Sequence, residues 1–117
     1  MQNETPRLHH EKLDVYVASI NFLTLASKLI EKYPRGNSSI ADQLKRASLS
    51  IPLNIAEGCG KKGADRSRFY DISRGSSHEC GAILDASKVL GIIDDESYFE
   101  GKKLLYRIVS MLFKMSE

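Results

Sequence analysis

Apolar residues recur along most of the chain at the three- and four-residue spacing of an amphipathic helix. Glycine, proline and asparagine interrupt this spacing near residues 34–37, at 60–63 and at Gly91. Valine and isoleucine are scattered at helical spacing rather than alternating, which disfavours strands. The pattern predicts four helices, which cover residues 13–33, 39–60, 64–90 and 95–116.

Short connections between long helices favour antiparallel neighbours, because a short loop returns the chain beside the helix that it leaves. The predicted fold class is therefore all-α, an antiparallel up-down-up-down four-helix bundle. Residues 12–117 are assigned to the bundle and residues 1–11 to a flexible N-terminal segment. Ser38 or Ser39 is expected to cap the second helix, and Asp94 the fourth.

The second predicted helix contains the stretch SIPLNIAEG, residues 50–58. Pro52 has no N–H to donate, and a proline in a helix interior costs about 3 kcal/mol. Because the apolar stripe continues on both sides, the helix is predicted to run on with a kink at Pro52. The alternative is a helix that stops after Ser50 and a new one that Pro52 opens.

A polar stripe lies beside the apolar one on the second helix. Antiparallel pairing about residues 62–63 would place Arg46 level with Glu79, and Glu57 level with Arg68. Because an unpaired buried charge is costly, these groups are predicted to pair between the two helices. The predicted polar ladder contains Arg46, Ser50, Asn54, Glu57, Arg74 and Glu79.

The composition is that of a globular domain, with 42% hydrophobic and 27% charged residues in a chain of 117. Two cysteines without a CxxC pair predict a reduced, cytoplasmic protein. No apolar run is long enough to span a bilayer, and the first residues lack the apolar core of a secretion signal, so no membrane contact is expected.

Motifs that carry chemistry are absent from the sequence. It contains no GxxxxGK[ST], GxSxG or HExxH, and none of its three histidines follows a glutamate by three residues, as di-iron bundles require. The sequence therefore predicts no catalytic residue, no metal site and no cofactor.

Charge is distributed unevenly along the chain. Residues 61–74 hold five basic and two acidic residues, net +3, against +2 for the whole chain. In the bundle this segment lies at the same end as the basic residues before the first helix and as Lys114, whereas residues 94–100 make the other end acidic. Helix-dipole complementarity alone is one explanation. The other is a basic end that binds nucleic-acid phosphates through Lys61, Lys62, Arg66 and Arg68.

Several segments together resemble a known family: KLDVY at 12–16, YP at 33–34, DQLKRASLSIPLNIAEG at 42–58 and RGSSHE at 74–79. They are similar to the four-helix-bundle proteins encoded within intervening sequences of bacterial 23S ribosomal RNA genes. Tyr16 stands where a tryptophan is usual, and Cys59-Gly60 replaces a small polar pair. The family's motif positions fall on Gln43, Arg46, Ser50, Pro52, Asn54, Glu57, Gly58 and Glu79, with structural roles.

The resemblance implies a closed homo-oligomer, typically a homopentamer, with a role in nucleic-acid binding. A related group looks like the accessory proteins of diversity-generating retroelements, which bind a reverse transcriptase and nucleic acid. The fourth helix buries an apolar face that Phe99 and Phe113 widen. Excess apolar surface also favours assembly, since the first helix has two apolar faces and the fourth carries more apolar residues than one core requires: Met111, Leu112, Phe113 and Met115.

The leading hypothesis is a non-enzymatic homo-oligomer that binds RNA or DNA through its basic end. The alternative is a protein-binding accessory or scaffold subunit, for example to a reverse transcriptase. The third is a small metal- or ligand-binding bundle enzyme.

Overall fold

The structure is a computed structural model that describes residues 4–116. Four α-helices account for most of them, and no strand occurs within residues 4–116. The all-α, four-helix fold class is therefore confirmed, and each helix begins and ends within one residue of its predicted bounds. The helices are α1 (Asp14–Lys32), α2 (Ser38–Cys59), α3 (Gly63–Val89) and α4 (Asp95–Met115).

Consecutive helices pack side by side, and α4 packs against α1 to close the bundle. Contacts between α3 and α4 show their relative direction. Near the turn, Lys88 Nζ lies 3.3 Å from Asp95 Oδ1. Far from the turn, the guanidinium carbon of Arg74 lies 5.2 Å from the centre of the Phe113 ring. The two helices therefore run in opposite directions, as a short connection requires.

The core lies along the common axis of the four helices and draws on each of them. A fully buried aliphatic or aromatic side chain stabilises the fold by about 1.5–3 kcal/mol relative to an exposed one. The largest fully buried side chains are Phe22, Leu44, Ile51, Ile55, Leu84, Ile108 and Leu112.

Helix α2 continues through Pro52, which is buried inside it. The alternative of two helices separated after Ser50 is therefore wrong. Ser73 of α3 donates a hydrogen bond of 2.9 Å to the carbonyl of Ile51, the residue before the proline. This bond ties α2 to α3 beside Pro52, and the buried side chains of Ile51 and Ile55 hold α2 against the core on both sides of it. The kink itself stays a prediction.

The two predicted caps have different outcomes. Asp94 caps α4, since its carboxylate accepts a hydrogen bond of 2.7 Å from the backbone N–H of Ser97. The cap predicted at Ser38 or Ser39 is wrong. Helix α2 follows a short 3₁₀ helix (Arg35–Asn37) directly, so Asn37 occupies the cap position and its side chain makes no capping bond.

The chain before α1 packs onto the bundle at the end where α2 finishes. Residues His9–Lys12 form a 3₁₀ helix that contacts α1 and α2, and the His10 ring lies 4.6 Å from that of Tyr16. The predicted flexibility of residues 1–11 stays a prediction, and residues 1–3 and 117 lie outside the described residues. None of the helices within residues 4–116 combines the length and the apolar character needed to cross a bilayer.

Candidate nucleic-acid interface

The turn between α2 and α3 consists of Gly60, Lys61 and Lys62, and Gly63 opens α3 with a φ of 56°. Only glycine adopts this left-handed backbone readily. Lys62 occupies the N-cap position of α3, where no side chain accepts a hydrogen bond from the first turn. The N-terminus of a helix carries partial positive charge and free N–H groups, which suits it to binding an anion.

Two of the predicted phosphate-binding residues pair with nearby carboxylates. Lys61 Nζ lies 3.6 Å from Glu57 Oε2, and Arg68 Nη2 lies 3.8 Å from Asp65 Oδ1. Both cations also lie over the ring of Phe69, at 6.0 and 4.6 Å from its centroid. These pairs are solvent-exposed, so each stabilises the protein by no more than about 1 kcal/mol, and a phosphate can compete for the cations.

Lys62 and Arg66 differ from these two cations. Both are exposed, and no ion pair formed within residues 4–116 includes either of them. Arg66 instead donates to the carbonyls of Lys61 and Cys59, at 3.0 and 3.4 Å. These bonds hold the guanidinium at the C-terminus of α2. The guanidinium has five N–H donors in all, so others remain for a ligand.

Residues distant in sequence meet at this end of the bundle. A groove of about 250 Å³ is lined by His9, Cys59, Arg66, Tyr70 and Met115, so it joins the N-terminal segment to the ends of α2, α3 and α4. Burial raises the pKa of Tyr70, with a further rise from the neighbouring Cys59. The Tyr70 phenol is therefore a neutral hydrogen-bonding group at ordinary pH.

The structure also brings His10 beside Lys61, and Lys114 beside residues 13–15 at the start of α1. We call this set of cations and histidines the basic end: Lys61, Lys62, Arg66, Arg68, His9, His10 and Lys114.

The predicted polar ladder is wrong in its charged pairs. Arg46 pairs with Asp42 at 3.2 Å, one turn earlier on its own helix, rather than with Glu79. Arg74 likewise pairs with Asp71 at 3.7 Å, and Glu57 pairs with Lys61 rather than with Arg68. Arg46, Glu57 and Glu79 are exposed, so their charges keep their hydration and need no partner across the interface.

Uncharged groups join α2 to α3 instead. Ser50 Oγ lies 2.8 Å from Ser76 Oγ, and Asn54 donates to Ser50 Oγ at 3.0 Å. Ser77 is buried and donates back to the carbonyl of Ser73 at 3.0 Å. Small hydroxyl side chains let the helices approach closely and satisfy their own hydrogen bonds, whereas a buried charge would need a partner.

The acidic residues at the opposite end of the bundle have basic residues beside them. Asp95 pairs with Lys88, and Asp85 pairs with Lys102 at 2.6 Å. The pKa of Asp94 is lowered, mainly by the hydrogen bonds from Ser97 and to a smaller extent by the charge of Lys32. Its acids therefore have basic neighbours from α1, α3 and α4.

Two aromatic residues assigned to the apolar face of α4 are exposed instead: Phe99 is 61% and Phe113 is 56% exposed. With Tyr106, which is 77% exposed, they form a row at seven-residue spacing outside the core. A cation lies over both phenylalanine rings, Lys103 over Phe99 and Arg74 over Phe113, each at 5.2 Å. The seven-residue spacing is visible in the sequence and could have separated this row from the core positions.

No group of three or more histidine, cysteine, aspartate or glutamate side chains converges to form a metal site within residues 4–116. Burial, with a contribution from the charge of Glu79, raises the pKa of the Cys80 thiol to about 12.

Comparison with known protein families gives a match over most of the chain. The model of the 23S rRNA-intervening sequence protein family matches residues 11–114. The chain belongs to this family. The match includes α1, α2, α3, all but the last residue of α4, and the whole basic turn between α2 and α3. A search of curated proteins found no match to this 23S rRNA-intervening sequence protein.

Proposed function

We propose that this 23S rRNA-intervening sequence protein is a non-enzymatic homo-oligomer that binds nucleic-acid phosphates through its basic end. The observation that carries the proposal is the pair Lys62 and Arg66. Both are exposed, neither has a carboxylate partner within the described residues, and both lie at the uncapped N-terminus of α3. A phosphate at this point meets two cations and the positive end of a 27-residue helix.

Electrostatic contact with phosphates supplies affinity and little sequence information. Lys61 and Arg68 can extend the contact, because each is paired with its carboxylate only by an exposed, weak ion pair. The proposed binding therefore weakens steeply with salt and depends little on base sequence.

Self-association is supported by apolar side chains that the monomer leaves exposed. Adjacent helices α1 and α2 expose Val17, Ile20, Leu49 and Leu53, at 47, 36, 44 and 58%. Exposed apolar side chains on neighbouring helices of a globular domain are typical of an interface. An oligomer would also present several basic ends at once, which raises the apparent affinity for a long polyanion.

A protein-binding role is the second candidate, and the same apolar side chains favour it. In that case Leu49 and Leu53 would contact a different chain, such as a reverse transcriptase, rather than a second copy. Light scattering of the purified protein separates the two, since a monomer would favour a different partner.

The absence of enzymatic activity is also a proposal. It is supported by the state of the nucleophilic side chains: Cys80 is buried with a raised pKa, and Ser73, Ser77 and Ser87 are buried and donate to backbone carbonyls. Such groups stabilise helices and do not activate a substrate.

Fluorescence anisotropy with labelled RNA and DNA at two salt concentrations tests the proposed binding. The variant Lys62→Gln/Arg66→Gln should bind about tenfold more weakly and lower the salt slope by about two, since each phosphate contact adds about one. The matched control is Lys32→Gln/Arg35→Gln, which removes the same charge from exposed positions at the opposite end. Equal losses in both variants, or a wild-type protein that binds neither probe, would contradict the proposal.

A further inference from the structure

A second groove runs between α3 and α4 and has a volume of about 570 Å³. This volume falls in the range of ligand-binding clefts, about 300–1,000 Å³. The groove is lined by Asp71, Arg74, Gly75, His78, Phe113 and Lys114. Gly75 has no heavy atom near the position of a Cβ, so the groove is open above the backbone of α3.

The chemistry of this groove is that of a cation beside an exposed aromatic ring. Arg74 lies over one side of the Phe113 ring at 5.2 Å, and more than half of Phe113 remains accessible to solvent. Lys114 is the next residue on α4 and is also exposed. Asp71 is the one acid in the lining, and it pairs with Arg74 at 3.7 Å.

The position of the groove connects it to the basic end. Lys114 lines the groove and also lies beside residues 13–15, and Leu13 lines a further groove with Cys59 and Arg66. Arg68 precedes Asp71 by three residues on α3, so the two lie on the same side of that helix. A strand of nucleic acid that leaves the basic turn therefore meets the groove next.

We propose that the groove between α3 and α4 binds single-stranded nucleic acid, with one base stacked on Phe113 and flanking phosphates on Arg74 and Lys114. The inference rests on the proposed function and makes it more specific. Aromatic rings beside cations are the common means of holding single strands without sequence preference. Bases in a duplex are stacked on one another, so their faces are not available to Phe113. The basic turn, in contrast, contacts phosphates of either form.

The test uses fluorescent oligonucleotides of about 12 nucleotides, since single-strand sites cover roughly 4–16. Oligo(U), oligo(dT) and a duplex of the same length are titrated with the full chain. Two variants are compared with the wild type: Phe113→Leu removes the ring and keeps an apolar side chain, and Phe113→Tyr keeps the ring. Phe99→Leu is the matched control, because Phe99 is about as exposed as Phe113 on the same helix and also lies under a cation, Lys103.

We expect Phe113→Leu to weaken single-strand binding about tenfold, the usual loss when one stacking ring is removed. Phe113→Tyr and Phe99→Leu should bind as the wild type does, and duplex binding should not change in any of the three. Oligo(U) and oligo(dT) should behave alike, since stacking does not read the sugar. A loss in Phe113→Leu that appears with only one of them would show readout of the sugar or of the thymine methyl group, and would overturn the assignment of Phe113 to stacking without sequence preference.

Other results identify which inference is wrong. If Phe113→Leu binds single strands normally while Lys62→Gln/Arg66→Gln does not, the groove is excluded and the basic end stands. If the wild type binds no nucleic acid, both proposals are wrong. If Phe113→Leu changes the mass found by light scattering, Phe113 belongs to a contact between copies and the groove assignment is overturned.

Discussion

The two ends of α3 differ in the hydrogen bonds and caps that terminate the helix. At its C-terminus, Gly91 adopts a φ of 71°, and the N–H groups of Gly91 and Ile92 donate to the carbonyls of Lys88 and Ser87, each at 3.0 Å. This is a Schellman motif. The next helix starts at once with Asp94 as its cap. The polar groups of this turn are therefore satisfied by the protein itself.

At its N-terminus, α3 also has a glycine of positive φ, Gly63, but no side-chain cap. Lys62 stands where a capping side chain is usual, and Lys62 and Arg66 have no carboxylate partner within residues 4–116. A serine or aspartate at position 62 would make a more stable helix. One end of α3 is therefore closed by hydrogen bonds within the protein, whereas within residues 4–116 no side chain caps the other end, at which we propose that nucleic acid binds.

Close helix packing at a glycine should contribute to stability at both ends of the bundle. A Cβ at Gly101 would lie 2.6 Å from Leu84 Cδ1, and one at Gly58 would lie 2.7 Å from Tyr70 Cε1, and both neighbours are buried. Gly101→Ala and Gly58→Ala should each destabilise the protein by about 1–3 kcal/mol in urea unfolding. Gly75→Ala, which meets open space inside α3, is the control and should stabilise by up to about 1 kcal/mol. If the three variants unfold alike, close helix approach at the glycines is not what sets stability.

Removing the Asp94 cap of α4 should lower the stability of the protein. Asp94→Ala leaves the N–H and the hydroxyl of Ser97 without their acceptor, so the melting temperature should fall by a few degrees. Glu96→Ala changes the same charge in the same turn without removing a capping bond, and it should have the smaller effect. Circular dichroism melts measure both. Nucleic-acid binding should not change in either variant, and a loss in Asp94→Ala would show that the two ends are not independent.

Adding a cap should stabilise the turn between α2 and α3 and weaken the proposed nucleic-acid binding. Lys62→Ser supplies an acceptor for the first turn of α3 and should stabilise the protein by up to about 1 kcal/mol. The same change removes a free cation, so anisotropy should show weaker nucleic-acid binding. Lys62→Gln loses the charge without gaining a cap, and should bind as weakly as Lys62→Ser without the added stability. Lys62→Ser with full affinity would refute the assignment of Lys62 to phosphate binding.

Low pH should weaken the contact between Asp85 of α3 and Lys102 of α4. The pKa of Asp85 is lowered, first by the hydrogen bond from Lys102 and then by that from Tyr98. Its contribution to stability is therefore complete above its unfolded pKa, near 3.8, and is lost as the pH falls through the lower value of the folded state. Asp85→Asn should melt slightly earlier than wild type near neutral pH, and the difference should shrink below pH 3.8. A difference that stays constant with pH would show that ionisation of Asp85 does not contribute.

Periodicity predicted the helices well, because each long apolar stripe identifies a buried side whatever its neighbours are. It also predicted, to within one residue, which positions of the antiparallel helices α2 and α3 lie opposite each other. Pairing about residues 62–63 places Ser50 opposite residue 75, and Ser50 Oγ lies 2.8 Å from Ser76 Oγ. The charged pairs were predicted wrongly because the position of a residue along a helix axis does not determine the direction in which its side chain points around that axis. Arg46 and Glu79 are both exposed, so each keeps its hydration instead of forming an interhelical pair.

The candidate site was only partly visible in the sequence. The basic segment 61–74 could be read directly, and the structure showed which of its cations have partners. The groove between α3 and α4 could not be predicted, because Arg74 and Phe113 are 39 residues apart and lie on different helices. Phe113 was assigned to the apolar face, since an aromatic at helical spacing more often belongs to the core.

The sequence by itself determined the number and bounds of the helices, the end of the bundle that is basic and the family to which the chain belongs. The bounds of each helix are local, since they depend on residues within a few turns of one another, and the family is recognised from the order of its motifs along the chain. Tertiary structure decided which charges pair, which aromatic rings remain exposed and which residues of different helices form a groove. Those outcomes depend on the rotation of each helix about its axis, which is set when four apolar stripes pack into one core.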